Sequence, residues 1–97
     1  MNSIKWTEPA ENDLFELMDY FEQKQEPDVG RMLAGKIYSS TKILIKFPQA
    51  GRQSILNGVR ELVIPHIPYF IVYRISPGMV DILRVMHTSK LWTGVIK

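Results

Sequence analysis

The stretch Gly51-Arg52-Gln53-Ser54-Ile55-Leu56-Asn57-Gly58-Val59-Arg60-Glu61-Leu62-Val63-Ile64-Pro65-His66-Ile67-Pro68-Tyr69-Phe70-Ile71-Val72-Tyr73-Arg74-Ile75-Ser76-Pro77-Gly78-Met79-Val80-Asp81-Ile82-Leu83-Arg84-Val85-Met86-His87-Thr88 decides the fold. Residues 59–64, 69–75 and 79–86 are rich in β-branched and aromatic side chains, so each reads as a strand. Pro65-His66-Ile67-Pro68 and Ser76-Pro77-Gly78 punctuate them, and links this short favour antiparallel pairing. Both alternating sets of positions are apolar: Leu62 and Ile64 against Val59 and Val63, Val80 and Ile82 against Leu83 and Val85. Both faces of the sheet therefore need cover, and residues 88–97, a partner protein or both are expected to supply part of it.

Upstream, Ile4 to Trp6 reads as a short strand and Thr7 as a helix N-cap, with Glu8, Pro9 and Glu11 suited to the first turn. Ala10, Leu14, Leu17, Met18 and Phe21 fall on one face of a helix that runs to about Lys24. Gln25-Glu26-Pro27-Asp28 is a turn, and Asp28 is expected to cap a second helix with the stripe Val29, Met32, Leu33, Ile37, Leu44 and Ile45, stopped by Pro48. Two amphipathic helices joined by a short turn form a hairpin, and the sheet is the surface their stripes need. The expected architecture is α+β in the order β-α-α-β-β-β, a helical hairpin packed on a small, mainly antiparallel sheet.

Each of the three strands carries one arginine, Arg60, Arg74 and Arg84. Desolvating a guanidinium among Val, Ile, Leu and Tyr is costly unless it is paired, so these arginines point either to a cationic sheet face or to ion pairs. The pairing alternatives are Arg60 with a neighbouring strand or Glu61, and Arg84 with Asp81 or an acid on the first helix. Arg52, in a glycine-containing loop, is expected to be free. His87 closes the last strand, where an imidazole can move protons near neutral pH. Metal-free RNA cleavage needs such a group together with cations that stabilise phosphorane charge, and Arg60, Arg84 and Lys90 are the candidates. A lone strand-end histidine equally serves as a hydrogen-bonded surface residue. His66, between two prolines in a loop, reads as structural or exposed. Tyr69, Tyr73 and Trp92 suit either base stacking or packing.

With 97 residues and 45% hydrophobic content, the chain is expected to form one domain, residues 1–97. It has no cysteine, which removes disulfides, thiolate nucleophiles and cysteine-ligated metal and fits a reducing cytoplasm. The N-terminus lacks a signal-peptide pattern, and no apolar run approaches the ~20 residues that span a bilayer, so a cytoplasmic protein without membrane contact is expected. No metal-spaced cluster, phosphate loop or nucleophile motif is present, and no cofactor is expected. The net charge of +2 hides an uneven distribution. Residues 1–50 hold six Lys/Arg against eight Asp/Glu, net −2, and residues 51–97 hold six against two, net +4. All eight acids of the first half lie from Glu8 to Asp28, a segment that either attracts a basic partner peptide or is a solvated helix face.

The ordered set Trp6-Thr7-Glu8-Pro9-Ala10, Asp13-Leu14, Phe47-Pro48-Gln49-Ala50-Gly51-Arg52, Gly58-Val59-Arg60-Glu61-Leu62, Tyr69 to Arg74 and Ile82 to His87 resembles the RelE/ParE superfamily of bacterial toxins over almost the whole chain. The resemblance implies the toxin half of a type II toxin–antitoxin pair, neutralised by a cognate antitoxin that contacts the helix and sheet surface. It also implies a toxin–antitoxin hetero-oligomer that binds operator DNA through the antitoxin. RelE-like members cleave mRNA in the ribosomal A site, whereas ParE-like members poison DNA gyrase. Residues 53–57, Gln-Ser-Ile-Leu-Asn, lack the RelE lysine pair, and no tyrosine follows Tyr73. The Pro-x-x-Gly-Arg loop, Gly58 to Leu62 and the Ile82 to His87 ending look more like the ParE or plasmid-stabilisation branch, which is the preferred reading. His87-Thr88-Ser89-Lys90 also resembles the ending of histidine-dependent ribonuclease toxins. That alternative implies a metal-independent endoribonuclease with His87, Arg60 and Arg84 as catalytic residues. Arg52, Arg74, Lys90 and Trp92 are the expected target-binding residues. An inactive antitoxin-binding co-repressor is the third reading.

Overall fold

The computed structural model describes residues 2–89. The chain runs β1 (Ser3–Trp6), α1 (Glu8–Gln23), α2 (Pro27–Ser40), α3 (Ile43–Lys46), β2 (Arg52–Gln53), β3 (Val59–Val63), β4 (Tyr69–Ser76) and β5 (Met79–His87). The five strands form one sheet in the order β1-β5-β4-β3-β2. β1 runs parallel to β5, and the other three pairings are antiparallel. This is the expected helical hairpin on a mainly antiparallel sheet, with two short elements, α3 and β2, in addition. No helix among the described residues is long and apolar enough to cross a membrane.

Thr7 occupies the N-cap of α1, but its hydroxyl is used elsewhere: it donates to the Ile82 carbonyl at 2.7 Å and ties the helix start to β5. Pro9 and the acids Glu8 and Glu11 then suit the first turn. The helix ends in two nested bonds, Gln25 N–H to Glu22 C=O and Glu26 N–H to Phe21 C=O, with Gln25 left-handed at φ 60°. Glycine is favoured at such a position because it has no Cβ to clash. Gln25→Gly is accordingly expected to stabilise the fold by about 0.5–1 kcal/mol, measurable as a raised chemical-denaturation midpoint at unchanged m-value.

The second helix differs from expectation at both ends. It starts at Pro27 with Glu26 at the N-cap, and Asp28 pairs with Arg31 instead of capping. It stops at Ser40 because three consecutive hydroxyls turn back on the helix: Ser39 donates to Gly35 C=O, Ser40 to Lys36 C=O and Thr41 to Tyr38 C=O. Such bonds compete with the backbone ladder and bend or end helices. The chain resumes as α3, which buries Leu44 completely.

Strand parity sorts the side chains into two layers. On the helix side, Ile71, Tyr73, Val80, Ile82 and Val85 pack with Ala10, Leu17, Leu33, Ala34, Ile37 and Leu44. On the other side, Val59, Phe70, Val72 and Leu83 form a second cluster. Residues 90–97, which were expected to help cover this layer, lie outside the described residues. A bulge interrupts β4–β5 pairing: Tyr73 faces Ile82 and Val72 faces Arg84, so Leu83 is the extra residue.

Candidate functional site

The bulge decides where the arginines go. Simple alternation puts Arg84 on the face of Val80 and Ile82, but the extra Leu83 moves it to the opposite face, across from Val72. On that face Arg52, Glu61, Val72 and Arg84 form one cross-strand row, and Val59, Arg74, Asp81 and Lys5 form a neighbouring one. Arg60 lies opposite Tyr73, on the helix side. The sheet therefore brings Arg52, Arg74 and Arg84 to one face and keeps Arg60 off it.

Most of these cations are already engaged. Arg84 meets Asp13 of α1 through two bonds, Nε to Oδ2 at 2.8 Å and a terminal nitrogen to Oδ1 at 3.0 Å. Asp13 also accepts the Val85 N–H at 2.8 Å. β1 pairs β5 only as far as Ile82, so Asp13 supplies an acceptor to the edge that β1 leaves open. The bidentate geometry and the Glu16 carboxylate nearby hold the Arg84 guanidinium protonated, above its usual range. Arg52, expected to be free, pairs with Glu61 at 3.0 Å because the short β2 strand sets the two directly opposite each other. The Arg74 side chain is exposed and makes no hydrogen bond or ion pair among the described residues. Lys90 and Trp92 lie outside the described residues.

Arg60 belongs to a different construction. One of its terminal nitrogens donates to the Gly51 carbonyl at 2.6 Å. The buried Tyr73 hydroxyl accepts the Gly51 N–H at 2.9 Å and donates to the Pro48 carbonyl at 2.7 Å. Burial pushes the Tyr73 phenol up from 10.0, against the smaller opposing effects of the Gly51 N–H and of Arg60. The Pro48 to Gly51 segment is thus held at two points by one tyrosine hydroxyl, and the role this geometry gives Arg60 is to position a loop.

His87 sits on the wall of a cleft of about 260 Å³ between α1 and the end of β5, lined by Asp13, Glu16, Tyr69, Arg84, Met86 and His87 among others. Its ring meets Tyr69 edge to face at 5.1 Å. Nδ1 accepts the Ser89 N–H at 3.0 Å and lies 2.7 Å from the Ser89 hydroxyl, so a neutral ring carries its proton on Nε2. Two carboxylates face one arginine in this cleft, and that arginine is bonded to one of them. A phosphate entering it meets net negative charge. Arg60, the other arginine of the nuclease reading, is bonded to Gly51 on another part of the sheet. Among the described residues no group of three or more His, Asp or Glu side chains is placed to hold a metal ion.

The cleft includes Asp13 and Glu16, which reasoning from the sequence did not assign to a site, and Tyr69, which packs edge to face against His87. Asp13 had a legible signal: it lies three residues after Ala10 and four before Leu17, on the apolar stripe of α1. A carboxylate on that stripe needs a cationic or N–H partner.

A helical hairpin on a five-stranded sheet of this order, with the Pro-x-x-Gly-Arg loop fastened to a buried tyrosine, defines a RelE/ParE-type toxin fold. The family described as ParE toxin of type II toxin-antitoxin system, parDE, matches residues 4–92, and the chain belongs to that family. It is 39% identical over 93 residues to "Putative toxin Y4kP" of Sinorhizobium fredii (strain NBRC 101917 / NGR234), covering 96% of this chain and 95% of that protein. It is 32% identical over 91 residues to "Toxin RelE2" of Caulobacter vibrioides, covering 94% of this chain and 100% of that one. Among solved structures, a chain of the chromosomal ParDE TA system from P. aeruginosa superposes with a TM-score of 0.81 at 29% identity, over 90% of this chain and 96% of that chain. YafQ from E. coli strain BL21(DE3) shares the fold, with a TM-score of 0.52 at 15% identity over 92% and 96% of the two chains.

Proposed function

We propose that this toxin arrests growth by binding and inhibiting DNA gyrase, and that a cognate antitoxin neutralises it. The carrying observation is the state of the arginines around His87. The cleft's arginine is bonded to Asp13 and faces Glu16 as well, so no free cation among the residues lining this cleft stands ready for a scissile phosphate. The ParE family membership supports the same reading, since inhibition of gyrase is what the ParE-like resemblance implies. His87 then serves as a packed, hydrogen-bonded end to β5, set edge to face against Tyr69 and tied to Ser89.

His87→Ala separates this from the ribonuclease alternative. Removing a general acid or base costs ~10²–10⁴-fold in rate. The expected result is retained growth arrest, supercoiling inhibition within about threefold of wild type, and intact mRNA on programmed ribosomes, since a binding surface does not use the proton. Position-specific mRNA cuts that disappear in the variant would replace the gyrase reading with the nuclease one. Co-expression of the antitoxin is expected to restore growth in either case.

A further inference from the structure

The charges divide sharply along the chain. Eight carboxylates lie from Glu8 to Asp28, and the next is Glu61. Residues 29–60 carry Arg31, Lys36, Lys42, Lys46, Arg52 and Arg60 and no acid at all. Arg31 and Arg52 are paired with Asp28 and Glu61, and Arg60 is bonded to Gly51. Lys36, Lys42 and Lys46 are left without an ion pair among the described residues.

A shallow groove of about 750 Å³ opens in this segment, lined by Ile43, Lys46, Phe47, Pro48, Gln49 and Ala50. Phe47 is 61% exposed and Ile43 48% exposed, so two large apolar side chains face solvent beside a lysine. The backbone beneath them is firmly held. Phe47 N–H bonds Ile43 C=O at 2.9 Å and Ala50 N–H bonds Phe47 C=O at 3.0 Å. Pro48 C=O and Gly51 N–H are both fixed to Tyr73, and Leu44 anchors α3 in the core. An apolar surface ordered before binding loses little conformational entropy on contact, and exposed apolar patches of this kind mark interaction sites.

We propose that the groove between α3 and the Phe47–Ala50 turn is where this toxin docks onto its protein target, receiving an acidic segment whose apolar side chain seats against Ile43 and Phe47. The inference rests on the reading of the chain as a target-binding toxin. Charge complementarity chooses the occupant: a segment without a single carboxylate repels basic partners and draws acidic ones. The apolar floor calls for a side-chain anchor, which a phosphate backbone does not offer. The acidic α1 face has the opposite preference and is left for a basic partner.

The test uses the full chain with Phe47→Ser, Lys46→Glu and the control Lys46→Arg. Growth arrest on induction, gyrase supercoiling inhibition, antitoxin affinity and thermal midpoint are measured for each. Phe47→Ser and Lys46→Glu are each expected to weaken arrest and inhibition by about tenfold or more, as a central anchor and a complementary charge do. Antitoxin affinity and thermal midpoint stay near wild type, since both side chains are exposed, and Lys46→Arg behaves as wild type. Full arrest by Phe47→Ser overturns the proposal. Parallel loss of antitoxin binding also overturns it, because the groove would then belong to the antitoxin. A loss confined to Lys46→Glu, with Phe47→Ser neutral, marks a phosphate contact and a nucleic-acid surface instead. If wild type arrests growth without touching gyrase while both variants lose arrest, the docking surface stands and the gyrase assignment falls.

Discussion

Gly51→Ala is expected to destabilise the protein by about 3 kcal/mol or more, the largest loss expected from adding a methyl group at any of the described glycines. A Cβ at this position would lie 2.7 Å from the Glu61 carbonyl oxygen, 2.7 Å from the Tyr73 hydroxyl and 2.8 Å from Tyr73 Cε1. None of the three can give way: one is β3 backbone, and the others belong to a side chain with no exposed surface. Relief therefore requires breaking the Tyr73 bonds to Gly51 and Pro48, which leaves the buried Gly51 N–H and the Tyr73 hydroxyl unpaired at about 1–3 kcal/mol each. For a chain of 97 residues such a change lowers the thermal midpoint by about 12 °C or more. Gly35→Ala is the control of opposite sign. Nothing lies within 4 Å of its added Cβ on α2, and the gain is about 0.5–1 kcal/mol from helix propensity. A midpoint for Gly51→Ala within a few degrees of wild type would mean the loop is not fastened as described.

Asp13→Ala is expected to cost about 2–4 kcal/mol in urea unfolding. The carboxylate serves two partners, the Arg84 guanidinium and the Val85 N–H, and no other side chain among the described residues bonds either of them. The Asp13 side chain is 12% exposed and that of Arg84 26%, so solvent screens the pair only in part. Arg84→Ala is expected to cost less, because Asp13 keeps its bond to Val85. The double variant should show a coupling of about 1–3 kcal/mol, the signature of a direct pair. Additive losses would place the stabilisation in the Val85 bond alone.

Much of this structure was legible in the sequence for identifiable reasons. α1, β4 and β5 have strong periodicity and clear punctuation, and their boundaries fall within a residue or two of those expected. The break between α2 and α3 was missed because the apolar phase from Ile37 to Leu44 is compatible with one continuous helix. The decisive signal was the run Ser39-Ser40-Thr41, whose hydroxyls compete for helical carbonyls. β2 has only Arg52 and Gln53, with no apolar alternation to find. Its existence depends on Glu61 across the strand pair, which also explains why Arg52 is not free. The face of Arg84 does not follow from simple alternation, because one bulged residue reverses parity and a bulge leaves no mark in composition. For the pairing itself, an acid on the first helix was among the partners open to Arg84, and Asp13 fills that role.

The position of β1 bears on how the chain assembles in time. Among the described residues its one neighbour in the sheet is β5, at Met79 to Ile82, and the Thr7 hydroxyl that secures the corner reaches a carbonyl 75 residues ahead. The two helices can form as soon as they are made, since their contacts are local, but the first strand must wait for the last. A ribosome that has translated only as far as β4 therefore carries a helical hairpin above an unfinished sheet, with Leu17 and Leu33 lacking part of their cover. Asp13 meets Arg84 only after β5 has emerged, so the order of synthesis delays completion of the toxin until nearly the whole described chain is available.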